Sequence, residues 1–211
     1  MLSLTGDLSV RRGALQPEPL RRHDLVQVGD EIRTGSTTEA VIQTSDGSTI
    51  RIFPDSRVIF HERSTGIQRL LHLVLGSIKV HIEKLSGRPN PQTLTTPTAI
   101  IAVRGTTFSV FVDETDATLV AVDEGIVAVA NIRIPSQEIL LRRRQRTWVR
   151  AGQPPAVAAQ FRGPSERADV VPNRGNGGVQ FGAPGGVGIG PAAGPGPRAG
   201  GGSGGRGGPP R

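Results

Sequence analysis

The chain has no cysteine among its 211 residues. This absence excludes a disulfide framework and any metal site built on thiolate ligands. It fits an oxidising compartment and a reducing one equally well, so the cysteine content leaves the cellular location open.

Long apolar runs are missing too. The longest are about the size of residues 99–103 (AIIAV), whereas a membrane-spanning helix needs about 20 consecutive apolar residues. The N-terminus, MLSLTGDLSVRRGAL, lacks a basic region followed by an apolar one, so no secretory signal is visible in the chain as given. We therefore predict no transmembrane segment.

Sequence signatures of catalysis are also absent. No phosphate-binding loop, dinucleotide fingerprint or G-x-S-x-G elbow occurs. Asp46, Asp55 and Asp123 stand near turn-forming glycine or serine, where carboxylates accept backbone N–H groups. The four histidines do not have the spacing of metal ligands. We expect a protein without enzymatic activity, cofactor or metal.

Glycine and proline are unevenly distributed along the chain. From residue 152 onward lie 19 of the 29 glycines and 10 of the 17 prolines. A segment of this composition buries too little apolar surface to offset the entropy lost on ordering. We therefore predict one β domain over residues 1–152, followed by a disordered Gly/Pro-rich tail over residues 153–211.

Alternating apolar residues are what the first 150 positions contain instead. After Gly105, for example, Phe108, Val110 and Val112 share one face of an extended segment. Period-two alternation rich in β-branched residues indicates strands, and no segment has sustained helical periodicity. The sequence predicts an all-β fold rich in hairpins.

A rhythm of turn glycines runs through these strands. Gly47, Gly76, Gly105 and Gly125 each precede an alternating segment, and glycine adopts positive φ without steric cost. The pattern is typical of hairpins arranged either as a sandwich or as a short solenoid-like stack, in which each unit covers the next.

Local sequence also predicts individual turns. Asp46 and Gly47 match a type I′ hairpin turn. The apolar segments before and after Gly76 are expected to meet in a turn at that glycine. Residues 131–137 are expected to form a loop, and residues 138–149 a closing hairpin.

Arg104, Gly105 and Thr106 form the sharpest polar feature among these strands. One interpretation is a contact with a ligand or partner. The other, which we favour, is a strand corner in which Gly105 has positive φ. In that corner Arg104 would pair with a carboxylate such as Asp123 or Glu124.

Several short motifs, taken in order, resemble the FecR domain family. That family has a Gly-Asp turn followed by Thr-Gly, an Asp-Gly-Ser turn, a strand opened by glycine, a Thr-Pro entry, an Arg-Gly-Thr corner and a Glu-Gly corner. The matching residues here are Gly29, Asp30, Thr34, Gly35, Asp46, Gly47, Ser48, Gly76, Thr96, Pro97, Arg104, Gly105, Thr106, Glu124 and Gly125.

The resemblance implies a β-rich extracytoplasmic domain. FecR-type proteins sit in the bacterial envelope and relay signals to a cytoplasmic sigma factor. This chain shows neither the anti-sigma segment nor the membrane span of those relay proteins, so it looks like a stand-alone FecR-domain protein. The resemblance implies a non-enzymatic binding or signalling module, periplasmic or envelope-associated, whose partner is a protein or a cell-wall polymer.

Arginines are concentrated near the end of the predicted domain, at Arg142, Arg143, Arg144, Arg146 and Arg150. They are candidate anion-binding residues, with a solvated sheet edge as the simpler interpretation. In the FecR pattern a glycine usually turns this closing strand pair, and Arg144 takes its place.

The chain carries a net charge of +7, of which +4 belongs to residues 151–211. A basic RNA- or DNA-binding protein that uses residues 142–150 and the tail is therefore the alternative interpretation. We do not expect a nucleic-acid partner.

Overall fold

The computed structural model describes residues 3–5, 8–61, 63–64, 67–84 and 91–162. Within these residues all regular structure is β, which confirms the predicted fold class. In chain order the strands are β1 (Ser3–Thr5), β2 (Leu8–Arg12), β3 (Glu18–Pro19), β4 (Asp30–Thr34), β5 (Glu39–Gln43), β6 (Thr49–Ile52), β7 (Arg57–Phe60), β8 (Arg63–Ser64), β9 (Ile67–His81), β10 (Pro91–Thr95), β11 (Ala99–Arg104), β12 (Thr107–Val112), β13 (Thr118–Glu124), β14 (Ile126–Asn131), β15 (Ile134–Arg142), β16 (Gln145–Val149) and β17 (Ala159–Gln160). The predicted disorder of the tail falls largely on residues 163–211, which lie outside the described residues.

The strands pair into two sheets that share β9. Sheet A has the order β1-β5-β6-β9-β12-β13-β16-β17, and every pairing in it is antiparallel. Sheet B has the order β3-β2-β4-β7-β9-β10-β11-β14-β15, with β9 and β10 parallel. Short β8 pairs only with the start of β9 among the described strands.

Strand β9 belongs to both sheets because it bends at Gly76. Residues before the glycine pair with β7 in sheet B, and residues after it pair with β6 and β12 in sheet A. The turn expected at Gly76 is therefore wrong. The glycine has a φ of 90°, but it redirects a continuous 15-residue strand into the other sheet instead of reversing it.

The chain passes repeatedly from one sheet to the other, usually after two strands. It leaves sheet B at Gly105, returns after Gly125, and leaves again at Arg144. Strands β15 and β16 consequently lie in different sheets, so the expected closing hairpin over residues 138–149 is wrong. The loop expected over residues 131–137 is also shorter than predicted, because β15 begins at Ile134. We call each connection between strands of different sheets an arch. The two sheets form a sandwich, and the repeated arches stack along it, so the fold has features of both arrangements that the sequence left open.

Apolar side chains from the inner faces of both sheets form the main core. The fully buried members are large apolar residues, mostly β-branched residues or leucine. They alternate along the strands with residues that face outward, because successive side chains of a strand point to opposite faces of the sheet. They include Ile32, Ile50, Ile52, Leu71, Leu73, Ile78, Leu94, Ile101, Phe108 and Leu141. Burial of each such side chain contributes about 1.5–3 kcal/mol to stability.

A second apolar cluster covers the outer face of sheet A. Phe111, Leu119, Ala121 and Phe161 are buried there, with the ring of Trp148 packed against them. Phe161 follows β17, which pairs with the edge of β16. The domain boundary at residue 152 stays a prediction, but Phe161 beyond it packs against this sheet.

Candidate interaction surfaces

The glycines of the motifs occupy the corners of the fold. Gly29, Gly47, Gly105 and Gly125 have φ values of 86°, 87°, 66° and 87°, as the turn interpretation predicted. A Cβ added at Gly125 would lie 2.5 Å from Cγ2 of buried Thr106. The Arg-Gly-Thr and Glu-Gly corners therefore stack directly on each other. This close contact explains why position 125 is a glycine without a side chain.

Arg104, from the first of these corners, is exposed on sheet B. Asp123 lies on sheet A and pairs with Lys79, with 3.0 Å between Oδ2 and Nζ. Among the described residues no carboxylate lies within ion-pair distance of Arg104. The expected pairing of Arg104 with Asp123 or Glu124 is therefore wrong.

Polar motif residues near the start of the domain hold its turns. Asp30 Oδ2 accepts a hydrogen bond from Gln27 N at 2.8 Å. Thr34 Oγ1 donates to Phe53 O at 2.8 Å and accepts from Ser56 N at 2.9 Å. The Thr34 bonds satisfy buried backbone groups where the chain crosses between the sheets, and the Asp30 bond closes the turn that leads into β4.

The Asp-Gly-Ser motif also holds a turn, but the expected type I′ geometry is wrong. Type I′ needs positive φ at both central residues, and of Asp46 and Gly47 only the glycine has it; Gly47 N instead donates to Thr44 O at 3.1 Å. Asp46 Oδ1 accepts a hydrogen bond from Ser48 N at 3.1 Å and another from the Thr44 hydroxyl. Ser48 Oγ in turn accepts from Glu83 N at 3.0 Å, which ties the hairpin turn to the chain that follows β9.

The Thr-Pro entry is held by a buried chain of hydroxyl groups. Thr96 Oγ1 accepts from Ala99 N at 2.8 Å and lies 2.7 Å from Thr118 Oγ1. Thr98 Oγ1 lies 2.7 Å from the same Thr118 oxygen. The contacts seen for these motif residues lie within the fold, which is the pattern expected of structural residues.

The candidate anion-binding arginines do not gather at one place. Arg142 ends β15 in sheet B, and Arg143 and Arg144 form the arch that follows it. Arg146 lies on β16 in sheet A, and the guanidinium of Arg150 stacks over the Trp148 ring, 5.9 Å from its centroid. Arg144 has a φ of 63°, which agrees with its place in a turn usually made by glycine.

A different group of arginines converges on the outer face of sheet B. Glu31 is almost buried, with 5% of its side chain exposed, and its carboxylate contacts three guanidinium groups. Arg33 Nε donates to Glu31 Oε1 at 2.7 Å, and an Arg11 guanidinium nitrogen donates to Oε2. Arg57 Nε lies 2.7 Å from Oε1, within ion-pair range but without hydrogen-bond geometry. We call Arg11, Glu31, Arg33 and Arg57 the three-arginine cluster.

The cluster is positioned by strand register. Glu31 lies between Arg11 of β2 and Ile59 of β7 in neighbouring strands, while Arg33 lies beside Arg57. Ile32 faces the core, so residues 31 and 33 must face outward. The group carries a net charge of +2 at neutral pH, and each arginine side chain remains 40–49% exposed.

Burial of Glu31 acts to raise the pKa of its carboxyl, but the hydrogen bonds from Arg33 and Arg11 and the charges of Arg57 and Arg33 outweigh it. The pKa of Glu31 therefore lies below its usual value, and the carboxylate stays ionised as an anchor for the arginines. Next to the cluster, Arg12 and Asp30 form a separate ion pair, with 3.5 Å between Arg12 Nε and Asp30 Oδ1.

Two histidines lie near the cluster on the same sheet. Burial lowers the pKa of His72, and the nearby His61 and Arg57 lower it further. His72 Nδ1 lies 2.9 Å from Thr95 Oγ1, so this neutral ring is held by a hydroxyl group. The part of the chain that the structure describes holds no cluster of three metal-ligating side chains.

Sequence reasoning missed the three-arginine cluster. Its members are separated by up to 46 positions and meet only through the pairing of β2, β4 and β7. The alternation of Glu31, Ile32 and Arg33 places the glutamate and one arginine on the same face, and that is the only local signal of this site.

Residues 30–128 match the model of the family described as FecR protein. The chain therefore carries a FecR domain, as the ordered motifs predicted. This family is regulatory and associated with the bacterial cell envelope. Within the described residues no helix could cross a membrane.

Two solved structures of a candidate anti-sigma factor from Parabacteroides distasonis have a similar fold. Each aligns with a TM-score of 0.51 and 17% identity, over 62% of this chain and 59% of the other. Identity this low shows a similar fold and nothing about function, and the chain spans less than two thirds of the length of those structures. A comparison with curated proteins gives no match.

Proposed function

We propose that this protein is a non-enzymatic recognition module of a bacterial envelope signalling system, and that it binds a protein partner through carboxylates of that partner. The FecR domain supports the signalling class. The single observation that carries the binding site is the three-arginine cluster, where three guanidinium groups share one almost buried glutamate.

Charge balance favours a binding role for these arginines. One arginine would neutralise Glu31, whereas three strands each contribute one, leaving a charge of +2 on a small area. Like charges held close together repel, and an incoming anion relieves that repulsion. By contrast, the polar groups of motif residues such as Thr34, Ser48 and Thr96 form hydrogen bonds within the fold.

Geometry also favours carboxylate ligands. Arg33 Nε donates to Glu31 and Arg57 Nε lies beside the same carboxylate, which leaves the terminal nitrogens of both guanidinium groups for other acceptors. A guanidinium binds a carboxylate through two parallel hydrogen bonds, and its planar fork is already oriented here by Glu31. An acidic segment of a partner protein fits this surface.

Photo-cross-linking in the native bacterium tests this proposal. A benzophenone amino acid replaces Ile59, which lies beside Glu31 on the outer face of sheet B. We expect an adduct with one protein, and we expect Arg33→Glu to remove it, because that change takes the cluster from +2 to zero. Arg51→Glu is the matched control: Arg51 is half-exposed and paired with Glu39 on sheet A.

Three outcomes contradict the proposal. The first is an adduct of equal intensity with Arg33→Glu. The second is an adduct that lysozyme digests, since this would make a cell-wall polymer the partner. The third is the absence of any adduct, whatever the amount of protein that carries the benzophenone amino acid at position 59.

The envelope location is a separate part of the proposal. Fractionation of cells that express the chain with a C-terminal tag, followed by N-terminal sequencing of the mature protein, tests it. Recovery from the periplasm or the membrane supports the location, and recovery from the cytosol with Met1 at the start contradicts it.

A further inference from the structure

One edge of the sandwich differs from the other three. Within the described residues, β1, β3 and β17 end the sheets with two or three residues each. Short edge strands of this kind limit unwanted pairing. The remaining edge of sheet B is β15, which is nine residues long and pairs only with β14 among the described strands.

The outer face of this edge is partly apolar. Leu140 is 56% exposed, and Ile126 on the neighbouring strand is 47% exposed. On β15, exposed Glu138 and Arg142 flank Leu140 at positions two residues before and after it. Leu141 is buried in the core, so Glu138, Leu140 and Arg142 share the outer face.

The geometry points to a second copy of this chain as the partner of β15, paired antiparallel about a twofold axis at Leu140. In this register Leu140 meets Leu140 of the second copy. Glu138 lies opposite Arg142 of the second copy, and the symmetry repeats that pair. Directly opposite side chains in an antiparallel pair have Cβ atoms about 4.5–5.5 Å apart, close enough for an ion pair.

The charge pattern selects this register over its neighbours. Centring the pair on Glu138 would overlap more residues, but it would place two glutamates opposite each other, which destabilises a sheet. Centring it on Ile139 would place Glu138 opposite Leu140. Only pairing about Leu140 satisfies both charges and joins the two exposed leucines on one face.

A twofold pairing of this kind is isologous: the same surface serves both copies, so it closes as a dimer instead of extending into a filament. Backbone groups on the open side of β15 gain partners, as in strand addition generally. The two B sheets become one continuous sheet, and the three-arginine clusters remain on its outer face.

Charge exchange at positions 138 and 142 tests the proposal in the full chain. Glu138→Arg places arginines opposite each other at both symmetric sites, and Arg142→Glu does the same with glutamates. We expect each change to weaken dimerisation about tenfold. The double variant Glu138→Arg, Arg142→Glu restores the opposite charges and is expected to dimerise like the wild type. Sedimentation equilibrium provides the dissociation constants.

A disulfide provides an independent measurement. Because the chain has no cysteine, Leu140→Cys introduces a single thiol on the proposed axis. It faces the same thiol of the second copy at a Cβ separation of about 4.5–5.5 Å, within about 1 Å of the separation in a disulfide. We expect rapid formation of a covalent dimer on mild oxidation. Ile126→Cys is the matched control, since Ile126 is exposed on the same face but one strand further from the edge.

The proposal is overturned if the wild-type protein is monomeric at about 100 μM, or if both single charge variants dimerise like the wild type. It is also overturned if the double variant stays monomeric while its thermal unfolding matches that of the wild type. These results leave the proposed function untouched, because the three-arginine cluster lies on β2, β4 and β7 and not on β15.

Discussion

A Cβ atom at Gly76 would lie 2.4 Å from Ser56 Oγ and 2.5 Å from Ser56 Cα. This contact joins the bend of β9 to the crossing before β7. Ser56 Oγ accepts a hydrogen bond from Ser77 N at 2.9 Å, so the two segments are bound as well as close. The passage of β9 between the two sheets depends on this absence of a side chain.

Gly76→Ala is therefore expected to lower the free energy of unfolding by about 3 kcal/mol or more, since it combines a positive φ with a clash against backbone atoms. Urea denaturation measures the loss. Gly13→Ala is the control, because Gly13 also has positive φ but has open space around it; its expected cost is about 1 kcal/mol. Equal losses for the two variants would show that the contact with Ser56 does not matter.

Arg144→Gly is expected to raise the free energy of unfolding by about 1 kcal/mol, because Arg144 has a φ of 63°, a conformation that glycine adopts without strain. Arg143→Gly removes the same charge from the neighbouring turn position, and we expect it to leave stability unchanged or lower it. Thermal unfolding at one ionic strength compares the two. A stability gain shared by both variants would assign the effect to charge and not to backbone strain.

Glu31 is expected to make stability depend on pH in the acid range. Its folded-state pKa is below the usual value of 4.5, so its contribution is fully present above pH 4.5. That contribution is lost as the pH falls below 4.5 through the lowered pKa, because in this range the unfolded chain binds a proton more readily than the folded protein does. Glu31→Gln should cost about 3 kcal/mol near neutral pH.

Denaturation curves for the wild type and Glu31→Gln between neutral and strongly acid pH measure this difference. The two curves should approach each other as the pH falls. A difference in stability that stays constant across this range would mean that the three arginines do not stabilise the ionised carboxylate.

Phe161→Ala tests whether the segment after β16 belongs to the folded domain. Phe161 is buried with Phe111 and packs in the cluster that contacts Trp148. Trp148 is the only tryptophan, so its fluorescence reports on this cluster alone. We expect a red-shifted emission and a loss of up to about 3 kcal/mol in stability.

Val157→Ala is the matched control, because Val157 lies in the same segment but is 93% exposed. It should change neither the emission nor the stability. An unchanged emission spectrum for Phe161→Ala would place the true end of the domain before this residue, as composition alone predicted.

The candidate surfaces were harder to predict from sequence than the fold. Gly105 and Gly125 could be recognised as corners because glycine followed by alternation is a local pattern. Glu31 and Arg57 could not be recognised as neighbours, because their contact depends on which strands pair and in what register. The same limit explains why the expected ion pair of Arg104 was wrong.

The amino-acid sequence by itself determined the all-β class, most of the strands, the positive-φ corners and the family resemblance, since each of these depends on residues close together in the chain. Only the tertiary structure decided that β9 crosses between sheets at Gly76, that Phe161 covers sheet A, and that three arginines surround Glu31. Those features arise from contacts between distant segments, and strand alternation shows which face a residue occupies but not which strand lies beside it.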